Sequence, residues 1–203
     1  MTHRLALLVT GASGMALPRH LLAAMAGHPD VAEVHLTVSK GAAQVLLHEA
    51  ELAGPASETL VEAADLDVEE RQKVRLYRDT ELDAPISSGS FTLTGTAIVP
   101  CSAGTTGALA TGAAGTLVHR AAAVALKERW PLVLGFRETP MTVIHLENLR
   151  RLAYLGATIL PPLPAFYVGG EDFGRFLDHY VLRVLDAFGI HEPGDPGLRW
   201  KSD

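Results

Sequence analysis

The stretch Thr96–Gly112, TAIVPCSAGTTGALATG, changes character halfway along. Thr96 to Val99 form a short apolar run that reads as a buried strand, and Pro100, which lacks the N–H needed to extend a ladder, is expected to end it. The residues that follow are small. Ser102, Thr105 and Thr106 offer hydroxyls, while Gly104 and Gly107 allow a backbone approach that side chains would block. Hydroxyls and backbone N–H groups at the start of a helix suit a phosphate or the polar edge of a ring. An ordinary strand-to-helix turn has the same composition, so the loop gains meaning only from its companions.

Upstream, a strand over about Arg4–Thr10 runs into Gly11-Ala12-Ser13-Gly14 and then a helix, about Met15–Ala26, with Leu17, Leu21, Leu22 and Met25 near helical spacing. This is the opening unit of a doubly wound sheet. It lacks the GxGxxG dinucleotide pattern, and a mononucleotide with one phosphate does not require it. A tight turn with Ser13 as helix cap explains the loop equally well. A second strand, about Val31–Val38, ends at Ser39-Lys40, and GAAQVLLHEAEL (41–52) reads as a helix whose Glu49 is expected on a solvated face. Ser57 is a candidate cap for a short helix, KVRLYR (73–78) an edge strand, and Ser87-Ser88-Gly89-Ser90 a donor-rich turn.

Downstream, an alanine-rich helix is expected over about Ala113–Arg129, stopped by Pro131. Arg120 and Lys127 lie seven residues apart on it, two turns along nearly the same face, able to hold a phosphate or simply to form a solvated basic stripe. A strand at Leu132–Phe136 delivers Arg137-Glu138-Thr139-Pro140 at its end, and a helix follows over Thr142–Leu155. A short strand, Ala157–Leu160, runs into PPLPAFY (161–167); a last amphipathic helix, about Asp172–Phe188, carries Arg183. The tail from about 189 to 203 is turn-rich and is expected to be irregular or to pack on a neighbouring subunit. In an open parallel sheet ligands bind outside the carboxyl ends of the strands, which predicts that GAS, Ser39, CSAGTT, RET and PPLPAFY share one rim.

At 203 residues, 48% hydrophobic and 20% charged, the chain supports one substantial core and reads as a single α/β domain. A net charge of −6 argues against a nucleic-acid-binding surface. One cysteine, Cys101, excludes an intramolecular disulfide framework and suits a reducing compartment. The nine histidines show no metal-binding spacing, so no metal is expected. The apolar run after Arg4 is too short for a signal peptide, and no segment reaches the roughly 18 apolar residues of a membrane span, so a cytoplasmic location without membrane association is expected.

Taken together, TGASG, the Ser39-Lys40 pair, the Ser88-Gly89-Ser90 turn, PCSAGT, RAAAVALKERWPLVLGFRETP (120–140), LPPLPAFY and the terminal Arg199-Trp200 resemble the UbiX/Pad-type flavin prenyltransferases, in the family's order and over nearly the whole chain. The resemblance implies a flavodoxin-like or Rossmann-like fold in a homo-oligomer, typically a dodecamer, with FMN at subunit boundaries. It implies transfer of a dimethylallyl group from dimethylallyl phosphate to reduced FMN at N5 and C6. The product, prenylated FMN, would serve UbiD-type decarboxylases. By the same resemblance Gly11, Ala12, Ser13, Ser39, Ser102, Ala103, Gly104, Thr105 and Arg137 contact FMN. Ser88, Gly89, Arg120, Lys127, Tyr167 and Arg183 hold the prenyl phosphate, some of them from a neighbouring chain, while Glu49, Glu138, Ser13 and Lys127 are the catalytic group. Glu138 is expected to shuttle the proton lost from N5.

The sequence departs from the family pattern in two places. Leu82 stands where a tryptophan often lines the prenyl pocket, and Thr106-Gly107 replaces a bulkier pair. Two other readings share the scaffold: an FMN-dependent cysteine decarboxylase, with His20 as its base, and a non-catalytic flavin carrier or assembly subunit. PPLPAFY stands where the first would need its substrate motif, and the full set of phosphate-directed cations speaks against the second.

Overall fold

Leu5, Leu7 and Val9 alternate with Ala6 and Leu8, and both sets are completely buried. A strand apolar on both faces needs cover on both, which parallel βαβ connections provide. The computed structural model describes residues 2–50, 54–169, 171–191 and 196–200. It contains strands β1 (His3–Val9), β2 (Val31–Val38), β3 (Val74–Arg78), β4 (Gly95–Cys101), β5 (Leu132–Phe136) and β6 (Thr158–Ile159). The helices are α1 (Ala16–Gly27), α2 (Lys40–Ala50), α3 (Ala56–Ala63), α4 (Val68–Lys73), α5 (Ala103–Thr111), α6 (Leu117–Glu128), α7 (Val143–Tyr154) and α8 (Phe173–Ala187). All strand pairs are parallel, in the order β3-β2-β1-β4-β5-β6. The chain winds outward from β1 to β3 and then crosses to β4, so the switch point lies between the ends of β1 and β4.

Each face of the sheet has its own core. Leu5, Leu7, Val34, Leu36 and Val99 pack with Leu21, Leu22 and Met25 of α1 and Leu177, Val184 and Leu185 of α8. Ala6, Leu8, Ile98 and Leu134 pack with Ala121, Ala122 and Ala125 of α6, Leu109 of α5 and Leu152 of α7. This division places α6 and α8 on opposite sides of the sheet.

Several boundaries differ from those read in the sequence. β4 does not end before Pro100: it runs to Cys101, with an irregular register between Ile98 and Cys101 that absorbs the missing N–H. The alanine-rich segment is not one helix from Ala113. α5 ends at Gly112 in a left-handed conformation (φ 79°), and Thr116 caps a separate α6 by accepting the His119 N–H. Arg129 (φ 59°) ends α6 before Pro131 is reached. Ser57 lies inside α3, behind Pro55, and caps nothing. The tail segment at residues 196–200 packs on its own chain: Leu198 is buried with Val168 and Leu182, and both Arg199 amino groups lie 2.9 Å from Asp186. Residues 51–52 of the expected second helix and residues 192–195 and 201–203 of the tail lie outside the described residues. Among the described residues no helix is long and apolar enough to cross a membrane.

His35 of β2 is buried on the α6 side, stacked on Tyr77 at 5.8 Å and edge-on to Phe91 at 5.1 Å. Its Nδ1 lies 3.0 Å from the Tyr77 hydroxyl, whereas Nε2 is 3.5 Å from Glu33, longer than a good hydrogen bond. Burial lowers its pKa, against the pull of Glu33 and aided by the charges of Arg4 and Arg75. A histidine depressed in the fold contributes stability that is complete above its unfolded pKa of about 6.5 and is lost as pH falls through the folded value. Wild-type protein is therefore expected to show a lower urea midpoint at pH 5.5 than at pH 7.5, and His35→Gln a smaller drop. Equal drops in both proteins would assign the acid sensitivity to other groups.

Candidate functional site

Main-chain bonds tie the strand ends into one rim. Ser39 N–H donates to the Val9 carbonyl (2.9 Å), Ser102 N–H to Thr10 Oγ1 (2.8 Å) and Arg137 N–H to the Cys101 carbonyl (3.1 Å). Thr10 donates to the Pro100 carbonyl through both its N–H (3.2 Å) and its hydroxyl (2.9 Å). Gly11 touches the start of α2 so closely that a Cβ there would sit 2.9 Å from the Gly41 carbonyl carbon. Gly11, Ala12, Ser13, Ser39, Ser102, Ala103, Gly104, Thr105 and Arg137 are thereby gathered around the β1/β4 switch point, as the sequence predicts.

The two helices that start at this switch point are treated differently. At α5, Ser102 Oγ accepts the Thr105 N–H at 3.3 Å, and a Cβ on Gly104 would meet nothing within 4 Å, so the first turn faces open space. At α1, the reading of Ser13 as helix cap does not hold. The Glu49 carboxylate reaches across from α2 and accepts the Gly14 N–H (3.0 Å to each oxygen) and the Met15 N–H (2.7 Å). Glu49 is thus not simply part of a solvated face. Burial alone would raise its pKa, but the Met15 N–H, the Ser13 hydroxyl, the Gly14 N–H and the charge of Arg137 outweigh it and hold the carboxyl below its ordinary value. An internal carboxylate therefore fills the anion-binding end of α1, and α5 is left open at the same rim. Glu138 is half-buried beside Arg137, its carboxylate accepting the Thr139 N–H at 3.0 Å. Cys101 is fully buried and its thiol is pushed far up by desolvation, so it is no nucleophile here.

A second group lies along α6, which starts at the level of the rim and ends away from it. The first turn of α6 is held at the end of β3, where Leu117 N–H donates to the Asp79 carbonyl (2.8 Å) and Val118 N–H to its carboxylate (3.0 Å). The helix then runs back to Pro131, whose carbonyl accepts the Thr96 N–H (2.9 Å) at the start of β4. Arg120 and Lys127 are both exposed along it, with Lys127 near the far end. There the Ser88-Gly89-Ser90 turn meets it: a Cβ on Gly89 would lie 2.9 Å from Lys127 Nζ. Ser88 and Ser90 hydroxyls are 2.8 Å apart, and Phe91 N–H closes the turn on the Ser88 carbonyl at 3.1 Å.

A third group sits on the other side of the sheet. The Tyr167 hydroxyl is 3.2 Å from His179 Nε2, and its ring meets Trp200 edge-on at 5.2 Å. Burial, and then the charge of Arg183, hold His179 below the usual histidine value. His179 escaped the sequence reading; its only signal there is its place one turn before Arg183. The residues that the resemblance assigns to the prenyl phosphate, some of them expected from a neighbouring chain, are not gathered within one chain. One chain gathers the flavin-directed residues but leaves Ser88, Gly89, Arg120 and Lys127 along α6, and Tyr167 and Arg183 beside α8. The reason is the sheet itself, which separates α6 from α8. His20 of α1 is paired with Asp178 at 2.6 Å.

A doubly wound parallel sheet with an open helix start at its switch point defines a mononucleotide-binding class of protein. The flavoprotein family model matches residues 1–176. The chain is 40% identical over 199 residues to the flavin prenyltransferase UbiX of Pseudomonas aeruginosa, covering 97% of this chain and 93% of that one. Among solved structures, a dodecameric FMN-dependent UbiX-like decarboxylase from Escherichia coli O157:H7 superimposes with a TM-score of 0.83 at 37% identity, over 98% of this chain and 100% of the other. AnUbiX (PadA1), solved in complex with FMN and dimethylallyl pyrophosphate, gives 0.81 at 34% identity over 100% and 99%. The chain belongs to the flavin prenyltransferase family of flavoproteins.

Removing the internal cap should be measurable. Glu49→Ala is expected to destabilise the fold by about 1 kcal/mol at pH 7, the usual cost of a lost N-cap. Because the Glu49 pKa is lowered in the fold, this contribution is complete above the unfolded value of about 4.3 and fades as pH falls through the folded one. Denaturant titrations should show the gap between wild type and variant narrowing under acid. A gap that is constant with pH would mean that Glu49 acts by packing and not by charge.

Proposed function

We propose that this protein joins the dimethylallyl group of dimethylallyl phosphate to reduced FMN and releases inorganic phosphate, in a site that neighbouring chains complete. The observation that carries this reading is the contact between Lys127 and the Ser88–Gly89 turn, two features that the family resemblance assigns separately to one phosphate. Reduced FMN, when bound, supplies two nucleophilic atoms, N5 and C6. The residues around the switch point fit it. The open start of α5 with Ser102 and Thr105 suits its phosphate, and Arg137 and Ser39 suit its polar edges.

Lys127, Arg120, Arg183 and the Tyr167 hydroxyl then have a common task. Breaking the allylic carbon–oxygen bond leaves the electron pair on phosphate, and preorganised cations and donors stabilise that growing charge without a metal. In this reading Glu138, at the end of β5, takes the proton lost from the flavin, and Glu49, with Ser13, keeps an anionic acceptor beside Arg137. These groups converge only if α6 of one protomer and α8 of another approach the rim of a third or of each other. A homo-oligomer, up to a dodecamer, meets that requirement. A UbiD-type decarboxylase is the recipient of the product, and the cytoplasm the compartment, in this reading. PPLPAFY stands where the cysteine decarboxylase alternative would need its substrate motif.

Incubation with reduced FMN and dimethylallyl phosphate is expected to yield a flavin heavier by one prenyl unit, read by mass spectrometry. Unchanged FMN despite flavin binding would point to a carrier. Glu138→Gln should retain FMN while turnover falls by about 10²-fold or more; normal turnover would remove it as the proton acceptor. Lys127→Ala should lower turnover by about 10²-fold, and undiminished activity would dissolve the phosphate clamp.

A further inference from the structure

Glu128, which no role above uses, shares the Lys127 contact. Its Oε1 lies 2.6 Å from Lys127 Nζ, and its carboxylate stands directly over Gly89, where a Cβ would collide with it. Successive residues on a helix do not face each other, so this pair forms only because both side chains bend toward the turn. The placement also costs the helix. Glu128 is the last residue of α6, where the dipole favours cations and opposes a carboxylate. The Glu128 side chain keeps 34% exposure against 64% for Lys127. The carboxylate is therefore held against the Ser88-Gly89-Ser90 turn by the ammonium and by the space that glycine leaves.

We propose that Glu128 is a resident anion of the donor site: its carboxylate pairs with Lys127 while the site is free of phosphate, yields the ammonium to the incoming donor, and takes it back when inorganic phosphate leaves. This rests on the reading that Lys127 and the Ser88–Gly89 turn hold the donor's phosphate. The physical logic is competition for one cation. An ammonium on a closely packed turn is better paired than bare, and a tethered carboxylate is always at hand. It weakens the grip on a dianionic phosphate just enough to let the product go.

Titration calorimetry of inorganic phosphate into full-length protein saturated with oxidised FMN tests this, because the flavin then occupies its own phosphate site. Glu128→Gln is expected to bind phosphate about two- to five-fold more tightly than wild type, the scale of a partly exposed ion pair. It should also show a lower KM for dimethylallyl phosphate and stronger product inhibition. Glu128→Asp, which keeps the charge on a shorter arm, should fall between. Glu128→Gln introduced into Lys127→Ala should change nothing further, since the competition acts through the ammonium. If Lys127→Ala weakens phosphate binding and Glu128→Gln fails to strengthen it, the resident-anion role is wrong while the donor site stands. If Lys127→Ala leaves phosphate binding unchanged, the donor site itself is misplaced and this inference falls with it.

Discussion

A parallel sheet buried on both faces is the constraint from which the rest follows. Its backbone groups are satisfied strand to strand, so the helices contribute cover and not pairing, and they must be shared between two sides. α6 goes to one side and α8 to the other, each with an apolar stripe inward and its cations outward. The cations that the proposed reaction would use are consequently dispersed over one protomer's surface. Assembly of several copies is the economical way to bring them to one point, because moving them within a chain would mean burying unpaired charge.

Two carboxylates of the chain itself occupy positions that would suit an anion. Glu49 occupies the start of α1, and Glu128 occupies Lys127. Both are carboxylates supplied by the chain where an anionic ligand would otherwise find donors. Among the described residues the start of α5 has no such carboxylate, and its first turn faces open space at Gly104. At the switch point, where α1 and α5 both begin, one helix start is therefore filled from within the chain and the other is left open.

Much of the fold was legible because its signals are local. The alternation in β1, the apolar strand at β5 and the small hydroxylated residues after β4 each follow from side-chain size and period. Where the reading slipped, a competing interaction of longer range had won. Pro100 stays within β4 because the register shifts around it, and the Ala-rich segment divides because Gly112 and Thr116 end one helix and begin another. Ser13 stands where caps stand, yet a carboxylate 36 positions further along took the N–H groups.

Order and chemistry were decided by the sequence alone: βα units in succession, loops of hydroxyls and glycine after the strands, cations at Arg120, Lys127, Arg137 and Arg183, and a set of motifs specific to one family. What it could not decide was which of these meet. Gly89 with Lys127 and Glu128, Glu49 with Gly14, and Tyr167 with His179 are pairs distant in the chain or turned from each other in a helix. Their meeting depends on how two cores pack against opposite faces of one sheet, a property of the folded whole that no local pattern of residues records.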